Sequence, residues 1–341
     1  MKTQLLGLEE TKNLILKNKI LSIAGVEKLL TQLPNGQWIG GSTPYLMSEK
    51  GGIETHEQLL VTEFPKEVLR VSLRHYSHHD LSSISLNYEP NGFNLMVIPA
   101  FGRFHEVFGL NALSTKGLSS APLIGWISAS DLDRNRATSP VVYNGTTGER
   151  FDDGAVVMHA ALDPHWTAKI IPLNLFKPGT GPIIEFMNSG YEVKDCKVDG
   201  ETNNLAEYLV QNKINIEEPL VSNFFGTFVN VSFKEIKKAE KKVTFFAPVE
   251  KGIKYRIAAA VPDYEKAFEE LASSSKMPES SEVVWCSNCI LNYEYGNLSG
   301  KKMDSFFGPL TYGEVAYYLL NQTLVSLVLE PINTGKLKWD P

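Results

Sequence analysis

The sequence has few cysteines and no long apolar run, and both absences narrow the class of protein. Three cysteines among 341 residues are too few for a disulfide framework and fit a reducing compartment. No segment approaches the roughly 20 consecutive apolar residues that a membrane-spanning helix needs. Glu9 and Glu10 follow soon after Leu5 and Leu6, so no signal-peptide core forms. We therefore expect a soluble, cytoplasmic protein.

Excess positive charge and the common nucleotide-binding motifs are missing as well. The net charge of −6 argues against nucleic acid or anionic lipid as a main partner. No Gly-x-Gly-x-x-Gly or Gly-x-Ser-x-Gly string occurs, and the glycine pair Gly40-Gly41 lacks the lysine and the spacing of a P-loop. The sequence therefore carries no recognisable catalytic constellation of these kinds.

The hydrophobic pattern mixes helices and strands without strict alternation. Val26, Leu29, Leu30 and Leu33 repeat at helical spacing and predict a helix, and the apolar run over 95–98 predicts a buried strand followed by a helix. We expect an α+β (mixed α/β) fold with largely antiparallel sheets and flanking helices. The breaker cluster over 177–182 divides the chain into predicted halves at 1–182 and 183–341.

Cys286 and Cys289 form a Cys-x-x-Cys string after an apolar segment. A strand that delivers two thiols to a helix N-terminus would lower the pKa of the first thiol and favour redox chemistry. Only 52 residues (341 − 289) follow, which is few for a thioredoxin fold, and Cys196 stands alone, so a four-thiolate zinc site is incomplete. We interpret the pair as structural or pocket-lining, and a reactive Cys286 is the alternative.

Arg103 and His105 follow the predicted buried strand over 95–98. Ligands commonly bind at the carboxyl ends of strands, where Arg103 can pair with a carboxylate and His105 can exchange a proton near neutral pH. A helix start in which both residues pair with Glu106 is the alternative. His75, His78 and His79 lie among polar residues, so we interpret them as a solvated surface and expect no metal site.

The string Gly40-Gly41-Ser42-Thr43 follows another predicted strand. Its backbone amides could form an anion-binding nest, and a tight strand exit is the alternative.

Several motifs, taken in order, resemble those of FIST domains. Gly308-Pro309-Leu310-Thr311-Tyr312-Gly313-Glu314-Val315 and the later Asn321-Gln322-Thr323 resemble the C-terminal FIST signature of Gly-Glu-Ile and Asn-x-Thr. Ile39-Gly40-Gly41-Ser42-Thr43 is similar to the family's Gly-Cys-Ser-Thr turn, although Gly41 stands where the cysteine is often found. The segments 123–127, 153–157 and 193–200 resemble further FIST strands and the junction between the FIST halves.

The resemblance implies a two-part FIST-like architecture and a sensory or signalling protein that binds a small, amino-acid-like molecule and acts through a separate signalling protein. The ligand-binding residues that we predict lie in both halves: Gly40, Gly41, Ser42, Thr43, Arg103, His105, Trp126, Asn292, Tyr312, Gly313, Glu314 and Asn321. We expect no cofactor. Two alternatives stay open: an enzyme with Cys286 as nucleophile or redox thiol and His105 or Glu314 as acid/base, and a haem sensor with His105 or His159 as axial ligand.

Overall fold

The protein is dominated by β-structure. The computed structural model describes residues 2–133, 135–136, 138–224, 226–274, 281–303 and 306–332. Strands account for 46% and helices for 17%, which confirms the mixed α+β class and makes strands the larger component. The last residues of the predicted second half, 333–341, lie outside the described residues. Among the described helices, none combines the length and the apolarity that crossing a membrane requires.

The strands are short and numerous. The first 174 residues contain β1 (Lys2–Leu6), β2 (Leu21–Gly25), β3 (Trp38–Ser42), β4 (Tyr45–Ser48), β5 (Gly51–Glu54), β6 (Leu59–Glu63), β7 (Val68–Tyr76), β8 (Gly92–Pro99), β9 (Leu123–Ser128), β10 (Val142–Asn144), β11 (Glu149–Phe151), β12 (Ala155–Leu162) and β13 (Trp166–Asn174). The later strands are β14 (Ile184–Phe186), β15 (Gly190–Val193), β16 (Asp195–Val198), β17 (Glu201–Asn204), β18 (Leu220–Phe224), β19 (Thr227–Val231), β20 (Phe233–Lys237), β21 (Lys242–Val249), β22 (Lys254–Ile257), β23 (Glu282–Cys289), β24 (Gly308–Thr311), β25 (Glu314–Ala316), β26 (Tyr318–Leu320) and β27 (Thr323–Pro331).

Six α-helices are described, and all are short. They are α1 (Leu8–Leu16), α2 (Glu27–Leu30), α3 (Arg103–Asn111), α4 (Leu205–Gln211), α5 (Tyr264–Ser274) and α6 (Ile290–Tyr295). The apolar pattern from Val26 to Leu33 predicted a longer second helix. After Leu30 the chain continues with i→i+3 bonds, in which the amides of Gln32 and Leu33 donate to the carbonyls of Leu29 and Leu30 at 3.1 Å. The apolar face therefore persists, but as a tighter 3₁₀-type turn.

Three six-stranded sheets build most of the molecule. Their strand orders are β1-β6-β2-β3-β10-β11, β26-β25-β9-β8-β12-β7 and β13-β27-β23-β24-β4-β5. Each contains one parallel pair (β2–β3, β8–β9 and β23–β24), and the other pairs recorded among the described strands are antiparallel. This agrees with the expectation of largely antiparallel sheets.

The main core lies between these sheets. Every residue of β3, β9 and β12 is buried, which requires that both faces of these strands be covered. Trp126 and Trp285 are fully enclosed and lie in one continuous apolar cluster with Ile39 and Leu95. Burial of such large side chains provides most of the driving force for this packing.

Strand pairing does not follow the predicted boundary at residue 182. β13 pairs with β27 along their whole lengths, from Trp166 opposite Pro331 to Asn174 opposite Thr323. β25 and β9 also pair across this boundary, with Glu314 opposite Trp126. The C-terminal segment therefore completes sheets that the first 174 residues begin.

Residues 184–257 form a unit with a core of its own. This unit, which we call the inserted unit, contains a sheet of order β17-β16-β14-β22-β18-β19, a three-stranded sheet of order β15-β21-β20, and helix α4. Its cluster of buried residues includes Phe186, Leu205, Phe233, Phe245 and Tyr255. The breaker cluster over 177–182 marks the entry to this unit, and the chain returns to the main sheets with β23.

Candidate functional site

A pocket of about 590 Å³ lies where the inserted unit meets helix α3. Pockets of this size at an interface between structural units are common ligand sites. Five aromatic residues border it: Phe101, Tyr191, Phe245, Phe246 and Tyr312. We call it the aromatic pocket. Three of the residues predicted from the sequence line it, namely Arg103, His105 and Tyr312.

Phe101 stands at the pocket in an unusual backbone conformation. It has φ = 67°, a left-handed value that costs a bulky L-residue free energy, and its side chain is 63% exposed. The centroid of the Phe101 ring lies 5.7 Å from that of Tyr312. The Lys234 ammonium lies 5.1 Å from the centroid of the Phe101 ring. An exposed aromatic ring in a strained conformation is typical of a binding surface.

His105 is buried beneath this residue. Its Nδ1 accepts a hydrogen bond from the Phe101 amide at 3.2 Å, so Nε2 carries the proton in the neutral ring. Nε2 has no hydrogen-bond partner among the described residues. Burial, together with the nearby charge of Lys234, lowers the His105 pKa to about 4. His105 is therefore a neutral ring with an unused donor at neutral pH.

Charged residues of both signs surround the pocket. Basic Arg103, Lys234 and Lys237 face acidic Glu106, Glu192 and Glu235. Arg103 pairs with Glu106 within α3, as the alternative interpretation of the sequence predicted, and Lys237 lies 3.3 Å from Glu192. Lys234 contacts the Phe101 and Phe246 rings and has no carboxylate partner among the described residues. Lys234 is therefore the cation most available to a ligand.

A glycine lets the inserted unit approach α3 closely. A Cβ atom at Gly109 would lie 1.9 Å from the Tyr191 hydroxyl and 3.2 Å from Pro248, so only glycine fits there. The Tyr191 hydroxyl donates to the His105 carbonyl at 3.3 Å. Asp153 caps the N-terminus of α3, where its Oδ1 accepts a hydrogen bond from the Phe104 amide at 2.9 Å.

The glycine and hydroxyl residues predicted near residue 40 do not reach the aromatic pocket. Gly40 and Gly41 lie within β3, and a Cβ atom at Gly41 would meet Val97 at 2.7 Å and Trp126 at 2.9 Å. Close packing of sheets, rather than a ligand, therefore accounts for the glycine at position 41. Ser42 lines a second pocket of about 540 Å³ together with Thr43, although both hydroxyls already hydrogen-bond, to the Ala129 and Leu310 carbonyls.

The polar residues predicted in the C-terminal segment form a buried cluster. Glu314, Asn292 and Asn321 have no exposed surface, and the Thr311 hydroxyl donates to Glu314 Oε1 at 2.8 Å. Burial raises the Glu314 pKa well above 4.5, although Thr311, the Thr323 amide and Cys289 favour the charged form. Glu314 Oε2, Asn292 Oδ1 and the Asn321 amide have no hydrogen-bond partners among the described residues. We call this group the Glu314 cluster.

Two other predicted residues belong to the surroundings of this cluster. Trp126 is fully buried directly opposite Glu314 in the paired strands β9 and β25. Gly313 has φ = 145°, and its carbonyl accepts from the Ile127 amide at 2.9 Å. Both residues therefore hold the sheet together and lie outside the aromatic pocket lining.

The geometry of the Cys286–Cys289 string does not favour the alternative of an activated thiol. Both cysteines belong to β23, and their separation of three places their side chains on opposite faces of the strand. Cys286 is 2% exposed, its Sγ donates to the Phe307 carbonyl at 3.0 Å, and burial raises its pKa to about 12. Cys289, at the start of α6, has a pKa raised well above 9.0 for the same reason. The structural interpretation of these thiols fits better than the catalytic one.

His159 is also unsuited to the role considered for it. Its Nε2 lies 2.8 Å from the Tyr76 hydroxyl and its Nδ1 lies 2.7 Å from Asn94 Oδ1, deep in the second sheet. Both ring nitrogens are engaged, so neither is available to bind a haem iron.

Sequence reasoning missed the wall that the inserted unit contributes. Tyr191, Lys234 and Phe246 come from three different strands of its small sheet and are far from α3 in the chain. A weak signal exists in the Phe245-Phe246 doublet, because neighbouring residues of a strand face opposite sides. Phe245 fills the unit's core, so Phe246 has to face outward.

Comparison with known proteins adds a family but no activity. The model of a family described as "Family of unknown function (DUF6976)" matches residues 6–330. No curated protein matches the chain.

Proposed function

Because the chain belongs to the DUF6976 family, whose function is unknown, we propose from geometry that it is a small-molecule-binding protein. The ligand occupies the aromatic pocket between α3 and the inserted unit. The observation that carries this proposal is the exposed Phe101 ring in the pocket lining, beside a Lys234 ammonium that has no carboxylate partner among the described residues. A cation without a carboxylate partner can form a charge-assisted hydrogen bond with a ligand carboxylate.

The lining favours a ligand that combines an apolar ring with charges of both signs. Phe101, Phe246 and Tyr312 supply flat apolar surface, on which a ring can stack. A carboxylate can pair with the Lys234 ammonium, and an ammonium can pair with Glu235, which also lines the pocket. An aromatic amino acid carries all three of these groups.

We extend the proposal to a sensory role and to a two-part FIST-like architecture. The resemblance to FIST domains supports both, and the position of the pocket between two structural units, which are not the predicted halves, supports the sensory role. A ligand that contacts both α3 and the inserted unit stabilises the relative position of these two elements in which both contacts form. A separate signalling protein could recognise that position. A cytoplasmic location remains a prediction.

A matched series of three compounds tests the ligand class. L-phenylalanine, phenethylamine and 3-phenylpropanoate share a ring and differ only in which charged groups they carry. Thermal shift and ligand-observed NMR should rank L-phenylalanine first, because it alone satisfies both charge contacts. Absence of binding for all three, and for tyrosine and tryptophan, would refute the proposed ligand class.

Two lysine variants locate the binding. Lys234→Gln should weaken binding of a carboxylate ligand by about tenfold, the effect of losing a charge-assisted hydrogen bond. Lys238→Gln is the matched control, because Lys238 is an exposed lysine of the same segment that does not line the pocket. Equal affinity of the two variants would place the ligand elsewhere.

A further inference from the structure

Three side chains that could bind a metal ion lie beside the second pocket, which Ser42 and Thr43 line. Glu54 ends β5, His56 follows two residues later, and Asp131 follows the end of β9. One ligating atom from each of these residues lies within 4.8 Å of the others. We propose that Glu54, His56 and Asp131 bind a divalent transition-metal ion through two carboxylate oxygens and one imidazole nitrogen. This proposal is independent of the aromatic pocket.

Two of the three distances between the ligating atoms fit tetrahedral coordination. His56 Nε2 lies 3.3 Å from Glu54 Oε1 and 3.3 Å from Asp131 Oδ2. For a metal bound at about 2.1 Å, the edge between two ligands of a tetrahedron is about 3.4 Å. An ion between these three atoms would displace the Arg136 guanidinium, which contacts both carboxylates.

Asp131 provides a second, independent observation. Its side chain is only 3% exposed, and its Oδ2 atom makes no hydrogen bond of good geometry to the described residues. The Tyr45 hydroxyl, 3.4 Å from Oδ1, and the Asp133 amide hold the other oxygen. A carboxylate that is buried and oriented in this way presents one oxygen toward His56, as a metal ligand does.

Among the described residues, carboxylates outnumber cations in this cluster. Arg136 contacts it with Nη2 at 2.8 Å from Glu54 Oε1 and Nε at 3.1 Å from Asp131 Oδ2. Asp133 lies 3.4 Å from the same guanidinium, so within the described part of the chain one arginine faces three carboxylates. The Arg136 side chain is 49% exposed and can swing into solvent. A divalent ion would therefore replace Arg136 and balance the remaining charge.

The metal would have open coordination positions beside a cavity. Three protein ligands leave at least one position of a tetrahedral ion for water or a small ligand, as in catalytic rather than structural zinc sites. The adjoining pocket of about 540 Å³ is lined by His56 and Asp131 themselves. The mixed donor set of imidazole and carboxylate suits zinc, iron, cobalt or manganese.

Cobalt(II) titration of the full chain tests this site, because the absorption bands of bound cobalt report both binding and geometry. The wild type should develop the intense visible bands of a tetrahedral ion. His56→Gln should weaken cobalt binding by at least about tenfold. Arg136→Gln should instead strengthen it severalfold, because it removes the competing cation. An ordinary ion-pair cluster would give no intense tetrahedral bands, with or without its arginine.

Two features keep the test decisive. His56 is 43% exposed, so His56→Gln should leave the fold intact, and circular dichroism verifies this. His165→Gln is the control, because His165 also contacts a carboxylate, that of Asp163 at 2.9 Å, but no third ligand lies near it among the described residues. Absence of cobalt bands in both the wild type and Arg136→Gln would overturn the proposal, and so would equal binding by wild type and His56→Gln.

Discussion

The aromatic pocket and the Glu314 cluster both contain polar side chains that the sequence predicted to bind a ligand, but their surroundings are opposite. In the pocket, charged residues such as Arg103 and Lys234 border an open volume together with aromatic residues. In the cluster, Glu314 and Asn321 are enclosed by sheet strands and have no exposed surface. Polar residues between apolar strands therefore do not by themselves indicate a binding site. Accessibility separates residues that can meet a ligand from residues that specify the packing.

Replacement of Trp126 should produce the largest effect and should act on stability alone. Trp126 is fully buried in the main core beside Gly41, so Trp126→Ala should lower the free energy of unfolding by about 3–5 kcal/mol. Urea denaturation measures this loss. Ligand affinity of the remaining folded protein should be unchanged, and a selective loss of affinity would return Trp126 to the binding site.

Acid should destabilise the protein through its buried histidines. The His105 pKa falls from 6.5 to about 4 on folding, so the unfolded chain binds the proton more tightly. The stability is fully present above pH 6.5 and is lost as pH falls toward 4, by up to about 3 kcal/mol. Denaturation of His105→Asn across this range should show a shallower slope than wild type. An unchanged slope would contradict the burial of a neutral ring.

Glu314 should give the opposite pH dependence. Its pKa is raised on folding, so the folded protein binds the proton more tightly, and stability falls as pH rises above 4.5. Glu314→Gln keeps the shape without the titration and should be more stable than wild type in mildly alkaline solution, by on the order of 1 kcal/mol. Matched denaturation curves at acid and alkaline pH measure the difference. If the variant and wild type respond identically to pH, Glu314 is ionised in the fold.

Phe101 should show the smallest effect on stability and a clear effect on binding. Asparagine tolerates the left-handed conformation that Phe101 adopts at φ = 67°. Phe101→Asn should therefore change the free energy of unfolding by less than about 1 kcal/mol, since strain relief offsets the lost ring contacts. Calorimetry should show weaker ligand binding in the same variant. Unchanged affinity would mean that the exposed ring serves another purpose.

The sequence predicts local elements better than their assembly. The strand over 95–98 and the helix after it follow from their patterns, because an apolar run and an i, i+3, i+4 spacing are local. The pairing of β13 with β27 joins segments more than a hundred residues apart and leaves no local trace. The breaker cluster over 177–182 marks a real transition, but the return of the chain to the first sheets has no comparable signal.

The candidate site is also only partly predictable, because some of its residues meet only through long-range contacts. Arg103 and His105 are predictable because polar residues follow a buried strand. Glu314 and Gly41, which the sequence also predicts as ligand-binding residues, lie inside packed sheets instead. Lys234 is opposite α3 only because the inserted unit docks on Gly109, a long-range contact.

Calorimetric titration of L-phenylalanine tests the central claim most directly, with wild type, Phe246→Leu and Tyr255→Phe compared. Phe246 lines the aromatic pocket, whereas Tyr255 lies in the core of the inserted unit and is an aromatic control. Binding to wild type and Tyr255→Phe with similar affinity, together with affinity about tenfold weaker in Phe246→Leu, is the predicted result. Equal affinity in all three proteins would contradict a ligand in this pocket.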